Sequence, residues 1–196
     1  MDLLERVDYL KKDVVIEQDS KELMHLIVLA RKMNVQTVLE IGSRFGGTLK
    51  CWLELLYVEK AMVVDLPLGS DEECVKQRVE AWKRWPRGQQ LKIHLGDSQA
   101  SEADAAVKSA INKWGIGKFD MVFIDAGHKY EEVKADYERY AQYAKKLIAF
   151  HDIQPSKVLA AEDFGVDRFW KEVKQDRPSI EIVASETYGI GVLPLI

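Results

Sequence analysis

Cysteine is nearly absent from this chain of 196 residues: there are two, Cys51 and Cys74, and neither sits in a CxxC pair or beside a histidine. That excludes a disulfide framework and a cysteine zinc site, and buried thiols in a reducing compartment are expected. Long apolar runs are missing as well. None approaches the ~20 residues that span a bilayer, and the opening MDLLERVDYLKKD lacks the continuous apolar core of a signal peptide. A cytoplasmic protein with no membrane segment is expected. There is no basic excess either: Lys and Arg number 28 against 32 Asp and Glu, for a net charge of −4. Sequence-independent nucleic-acid binding needs a basic face, so no nucleic-acid partner is expected. Internal repeats, low-complexity segments and interdomain linkers are also lacking. What the chain does have is 47% hydrophobic residues, enough for a substantial core in a single domain.

The most informative stretch is TVLEIGSRFGGT, from Thr37 to Thr48. Thr37, Val38, Leu39 and Ile41 form the short β-branched apolar run of a strand buried on both faces. Gly42, Gly46 and Gly47 follow, and then Leu49, Trp52, Leu53 and Leu56 recur at helical spacing. Strand, glycine turn and helix open a nucleotide-type α/β site. Arg44 stands two positions after Gly42, so the GxGxxG spacing of a dinucleotide turn is not met. Glu40, at the end of the strand, would repel phosphates and attract a sulfonium and an ammonium group. The turn therefore favours S-adenosylmethionine (SAM) over NAD(P). An ordinary strand-to-helix turn is the plain alternative.

Other strand ends carry chemistry in the same way. Ala61 to Val64 predict a second strand closing on Asp65, about twenty residues past the glycine turn, where a ribose-binding acid is expected. Leu91, Ile93 and Leu95 predict a third strand, followed by Asp97 and Ser98, which suit an adenine edge or simply a helix start. Met121 to Ile124 close on Asp125, ahead of a loop with Gly127, His128 and Tyr130. Leu147 to Phe150 end in His151 and Asp152. Asp125, His151 and Asp152 thus share the carboxyl edge of a parallel sheet, where ligands bind. Gly189 to Leu195 predict a last strand antiparallel to its neighbours, because only a short turn precedes it. Leu3, Leu4, Val7 and Leu10 predict a short N-terminal helix that covers the substrate mouth, mediates self-association or merely packs. Four of the five tryptophans, Trp82, Trp85, Trp114 and Trp170, read as core more readily than as an acceptor site.

Taken in order, LEIGSRFGGT, VVDLP, GDS, FDMVFIDAGHKYEEVKADYERY, IAFHDI and GVDRFWKEV resemble the class I SAM-dependent methyltransferases. More narrowly, they resemble the small bacterial group of cephalosporin-hydroxylase-like proteins and macrocin and rhamnosyl O-methyltransferases. The resemblance runs from about Val38 to the C-terminus. It implies a Rossmann-like, doubly wound α/β fold with helices on both faces. Its seven-stranded sheet would be mostly parallel, with an antiparallel last strand. Residues 1–18 would be a helical appendage and residues 19–196 the methyltransferase domain.

The resemblance also implies roles. Glu40 and Gly42 would hold the methionine portion of SAM, Asp65 the ribose, and Asp97 with Ser98 the adenine; Ser43, Gly46, Leu66 and Asp125 complete the expected cofactor set. Asp125 and Asp152 match the acids that hold a divalent cation in metal-dependent relatives. Whether His151 ligates the ion or orients Asp152 is left open. Carboxylates suit Mg²⁺ or Ca²⁺, and a histidine shifts preference toward Mn²⁺, Fe²⁺ or Zn²⁺. His128 is the candidate general base with Asp125 beside it, unless it is a loop histidine bonded to backbone. The expected activity is methyl transfer to a hydroxyl of a small molecule, a sugar or natural product. An NAD(P)-dependent oxidoreductase and a non-catalytic SAM-binding module are the alternatives. The acceptor and the oligomeric state are not legible.

Overall fold

The computed structural model describes residues 1–69, 71–154, 164–184 and 188–195. The loop over residues 153–165, with Pro155, is one that such folds would be expected to use for a substrate pocket, and it lies largely outside the described residues. Seven strands form one sheet in the order β3-β2-β1-β4-β5-β7-β6: β1 (Thr37–Ile41), β2 (Lys60–Asp65), β3 (Gln90–Leu95), β4 (Phe119–Ile124), β5 (Ala144–His151), β6 (Ile180–Ile182) and β7 (Ile190–Pro194). All neighbouring pairs are parallel except those made by β7, which runs against both β5 and β6. The expected α/β fold, with its reversed last strand, is the one observed.

Period-2 alternation sends side chains to opposite layers. Val38 of β1, Val63 of β2 and Phe123 of β4 face a core shared with α1 (Leu3–Leu10), α2 (Ser20–Lys32) and α3 (Gly47–Cys51), which continues as a π-helical turn over Trp52–Leu56. Trp82 of α4 (Glu72–Lys83) joins this layer. Leu39, Ile41, Val64 and Val122 face the other core, made with α5 (Ser101–Trp114), α6 (Tyr130–Tyr140) and α7 (Val166–Val173). Helices therefore cover both faces, as a sheet of continuous apolar strands requires.

After β1 the chain builds outward to β3 and then returns to place β4 on the other side of β1. This is the switch point at which open α/β sheets bind ligands. The strand ends are knitted together there: Gly42 N–H donates to Val64 O and Asp125 N–H to Ile41 O, each at 2.8 Å. Gly42 has a φ of +82°, and a Cβ on it would sit 2.1 Å from Asp125 O. Only glycine fits, because side chains are excluded both by the left-handed backbone and by β4.

The N-terminal residues are not set apart from the domain. Val7, Leu10 and Ile16 are buried in the same core as Val38 and Trp52. The capping box of Asp2 and Glu5 starts α1, and Asp19 caps α2 by accepting from Lys21 and Glu22 N–H. The Leu10→Ala variant should lose about 2–4 kcal/mol in a single cooperative urea transition. A separate, earlier transition for the N-terminus would show that residues 1–18 fold independently.

Candidate active site

A cavity of about 740 Å³ lies across the carboxyl edge of the sheet. One end is walled by Asp65, Leu66, Gly96, Asp97 and Ser98, and the other by Asp125, His128, His151 and Asp152, with Gly42 and Ser43 between them. The parallel strands dictate this gathering, since β1 to β5 all deliver their last residues to one edge.

At the first end, the Asp65 carboxylate accepts from Ser43 N–H at 3.2 Å and forms an ion pair with Arg78 Nη1 at 3.2 Å. Burial pushes its carboxyl up from the ordinary value, against the Ser43 and Arg78 contacts. Arg78, on α4, also donates to Leu66 O at 2.9 Å and to Arg44 O, so it ties the glycine turn to the loop after β2. Arg44 itself takes a left-handed φ of +50° and turns outward to pair with Glu17 at 2.7 Å. This is how the loop accommodates an arginine where the GxGxxG spacing would have glycine.

At the second end, four ionisable groups interlock. His128 Nε2 lies 3.0 Å from Asp152 Oδ2; His151 Nδ1 lies 3.2 Å from the same oxygen and 3.4 Å from Asp125 Oδ1. Burial opposes a charge on His151, but Asp125 and Asp152 outweigh it and hold the imidazole up at about 10. His128 is likewise raised, mainly by its bond to Asp152. Asp152 is held well below the usual carboxylate range, because His128 and His151 overcome the cost of its burial. Its backbone is left-handed, with φ +61°, a strain of about 1 kcal/mol that ordered surroundings must offset.

Asp125, His128 and Asp152 each offer a ligand atom, all within 4.8 Å of one another. Two carboxylates and an imidazole are a suitable donor set for a divalent cation, and the buried Asp152 Oδ1 has no hydrogen-bond partner. His151 sits behind them with its side chain 4% exposed, stacked on Tyr188 at 5.7 Å.

Glu40 and Gly46 lie elsewhere than expected. Glu40 shares the inner face of β1 with Val38, away from the cavity. Its carboxyl is bonded there to Thr48 Oγ1 and to Trp52 Nε1, the latter at 2.7 Å. Burial pushes it up to about 8, against its bonds to Thr48, Ser43 and Trp52, so at neutral pH it is largely protonated. Gly46 backs onto the Trp82 indole, and Gly47 lines the cavity in its place. Of the tryptophans expected as core, Trp82 and Trp170 are fully buried, and none lines the cavity.

Gln18 and Asp136 are among the cavity residues that escaped the reading of the sequence. Gln18 donates from Nε2 to Asp125 Oδ2 at 2.6 Å across 107 positions, a contact with no local signal. Asp136, on α6, accepts from Ser98 Oγ at 2.7 Å. It stands on the buried stripe between Val133 and Tyr140, where an acid among apolar residues is itself a signal.

Residues 39–153, more than half of the chain, match the family model described as a methyltransferase domain. The chain belongs to this family. Solved structures carry the same fold. The O-methyltransferase of Bacillus cereus in complex with SAH is 16% identical, with a TM-score of 0.62 over 100% of this chain and 92% of that one. TomG of Streptomyces achromogenes, an O-methyltransferase of tomaymycin synthesis in complex with SAM, is 17% identical, with a TM-score of 0.59 over 99% and 90%. SAH-bound PaMTH1 of Podospora anserina is 16% identical, with a TM-score of 0.62 over 98% and 87%. Among curated proteins, the uncharacterized protein y4gI of Sinorhizobium fredii is 30% identical over 76 residues, 38% of this methyltransferase but only 8% of that protein.

The Glu40 environment makes a prediction about pH. In the folded chain Glu40 holds its proton to about pH 8, whereas the unfolded chain releases it near the ordinary glutamate value. Stability therefore falls as pH rises between these two values. Glu40→Gln removes that slope and should gain on the order of 3 kcal/mol over the parent at pH 9 relative to pH 5, measured by urea denaturation.

Proposed function

We propose that the protein is a SAM-dependent O-methyltransferase acting on a hydroxyl of a small molecule, with a divalent cation at Asp125, His128 and Asp152. The observation that carries this reading is the single cavity joining an acid-lined ribose end at Asp65 to the clustered carboxylates and histidines at Asp125 and Asp152. Methyl transfer is an in-line displacement at carbon, so catalysis rests on aligning an oxygen with the S–CH₃ bond and on excluding water. The O-methyltransferases of like fold, solved with SAH or SAM, support the donor.

The N-terminal segment favours SAM over a dinucleotide. A pyrophosphate would need the glycine turn and the start of α3. There the backbone of Val15 and Ile16 packs against Gly47 so closely that a Cβ would lie 2.4 Å from Val15 O.

Bound at Asp125, His128 and Asp152, the cation would lower the pKa of an acceptor hydroxyl. The residues of the chain do the rest. Gln18 fixes one oxygen of Asp125, and His151 bridges Asp125 and Asp152 from behind, so both carboxylates are oriented before any ligand arrives. His151 thus takes the orienting role, and His128 moves from candidate base to candidate ligand.

Isothermal titration tests both halves of the reading. SAH should bind and NADH should not; NADH binding without SAH would overturn the donor assignment. On SAH-loaded protein, Mn²⁺ should bind at one site that Asp152→Ala abolishes. His151→Phe should weaken it about 10–100-fold, as expected of a residue that orients ligands, with SAH affinity nearly unchanged in both variants.

A further inference from the structure

The adenine end of the cavity contains a hydrogen bond whose direction matters. Ser98 Oγ donates to Asp136 Oδ1 at 2.7 Å, and both residues line the cavity. A hydroxyl has one proton and two lone pairs. With its proton committed to the carboxylate, Ser98 can offer only acceptor lone pairs to whatever lies in the cavity. The adenine edge carries one kind of donor, the N6 amino group; N1, N3 and N7 are all acceptors. A 6-oxopurine presents an acceptor where adenine has that amino group.

We infer that Asp136 is a specificity-determining residue for the purine of the cofactor, acting through Ser98 by forcing its hydroxyl to accept from a 6-amino group and to reject a 6-oxo group. The inference rests on the reading of the cavity as a SAM site and deepens it.

The surroundings hold this device in place. Tyr140, one turn beyond Asp136 on α6, donates from its hydroxyl to Ser98 O at 2.5 Å. Arg139 donates to Gln99 O at 2.7 Å and to Ala100 O at 3.3 Å. Asp136, Arg139 and Tyr140 therefore fix the Ser98–Ala100 backbone from one helix face, so the Ser98 hydroxyl cannot turn to a different partner by moving its loop. The Asp136 side chain belongs to a residue only 1% exposed, which leaves Ser98 as its hydrogen-bond donor rather than bulk water. Burial pushes its carboxyl up to about 6, so at pH 8 it is ionised and can only accept.

The test compares SAH with S-inosylhomocysteine, its 6-oxo analogue, by isothermal titration at pH 8. The parent should prefer SAH by at least about tenfold, the scale of one hydrogen bond lost and a polar group left unpaired. Asp136→Ala frees the Ser98 proton and should cut the preference about tenfold. Ser98→Ala should cut it equally, and the double variant no further, since the two act as one unit. Asp136→Asn, whose amide oxygen still accepts, should keep the preference. These last variants also decide the matter if Asp136→Ala does not fold. The inference is overturned if Asp136→Ala weakens both ligands alike, as a mere brace between α6 and the loop would. It is also overturned if the double variant loses more than either single one, or if Asp136→Asn behaves like Asp136→Ala. A parent that binds no SAH sinks the cavity reading and this inference together; a parent that binds SAH with an unmoved ratio in the variants sinks this inference alone.

Discussion

The site depends on one close contact, the backbone of Gly42 against the end of β4. Three strand ends converge there, because Gly42 N–H reaches Val64 O on one side and Asp125 N–H reaches Ile41 O on the other. With no Cβ to hold them apart, the Asp65 end and the carboxylate–histidine end lie in one cavity instead of two shallow clefts. Everything proposed about the chemistry requires that continuity, since a methyl donor must span both ends with its reactive carbon facing the second.

Around that contact, charge is distributed in two different ways. At the mouth of the sheet, the His128 and His151 imidazoles face the carboxylate of Asp152 and keep that acid ionised despite its burial. Behind β1, Glu40 is met by the uncharged side chains of Thr48, Ser43 and Trp52, and without a cationic neighbour its burial leaves it largely neutral. Two acids, each near a strand end, thus have opposite protonation because one has cationic neighbours and the other does not. Glu40 contributes rigidity where the turn leaves the strand, by joining β1 to the first turns of the next helix.

Much of this was legible in the sequence. The five residues of β1 read as a strand to the residue because they are apolar or β-branched around one acid, and the reversal of β7 followed from the short connection before it. The strand-end acids Asp65, Asp125 and Asp152 could be grouped because a parallel sheet sends all such ends to one edge. The face of the strand on which Glu40 lies was not legible: alternation gives two faces, and only the packing of α3 and Trp52 says which one is inside. Gln18 could not be found from a pattern, because it meets Asp125 through the path of the whole chain. Asp136 was visible in principle, as a polar interruption in the α6 stripe, but its partner Ser98 lies on another element.

The placement of residues 15 to 18 has a practical bearing on how this protein is handled. Their backbone leans on Gly47 and their glutamine holds the acid at the end of β4, so these residues are a wall of the cavity and not its packaging. Chain termini are where tags are attached and trimming is tolerated most freely in other folds. Here a trimmed or crowded segment ahead of α2 would reshape the cavity proposed to hold donor and acceptor, even while the sheet beneath it stayed intact.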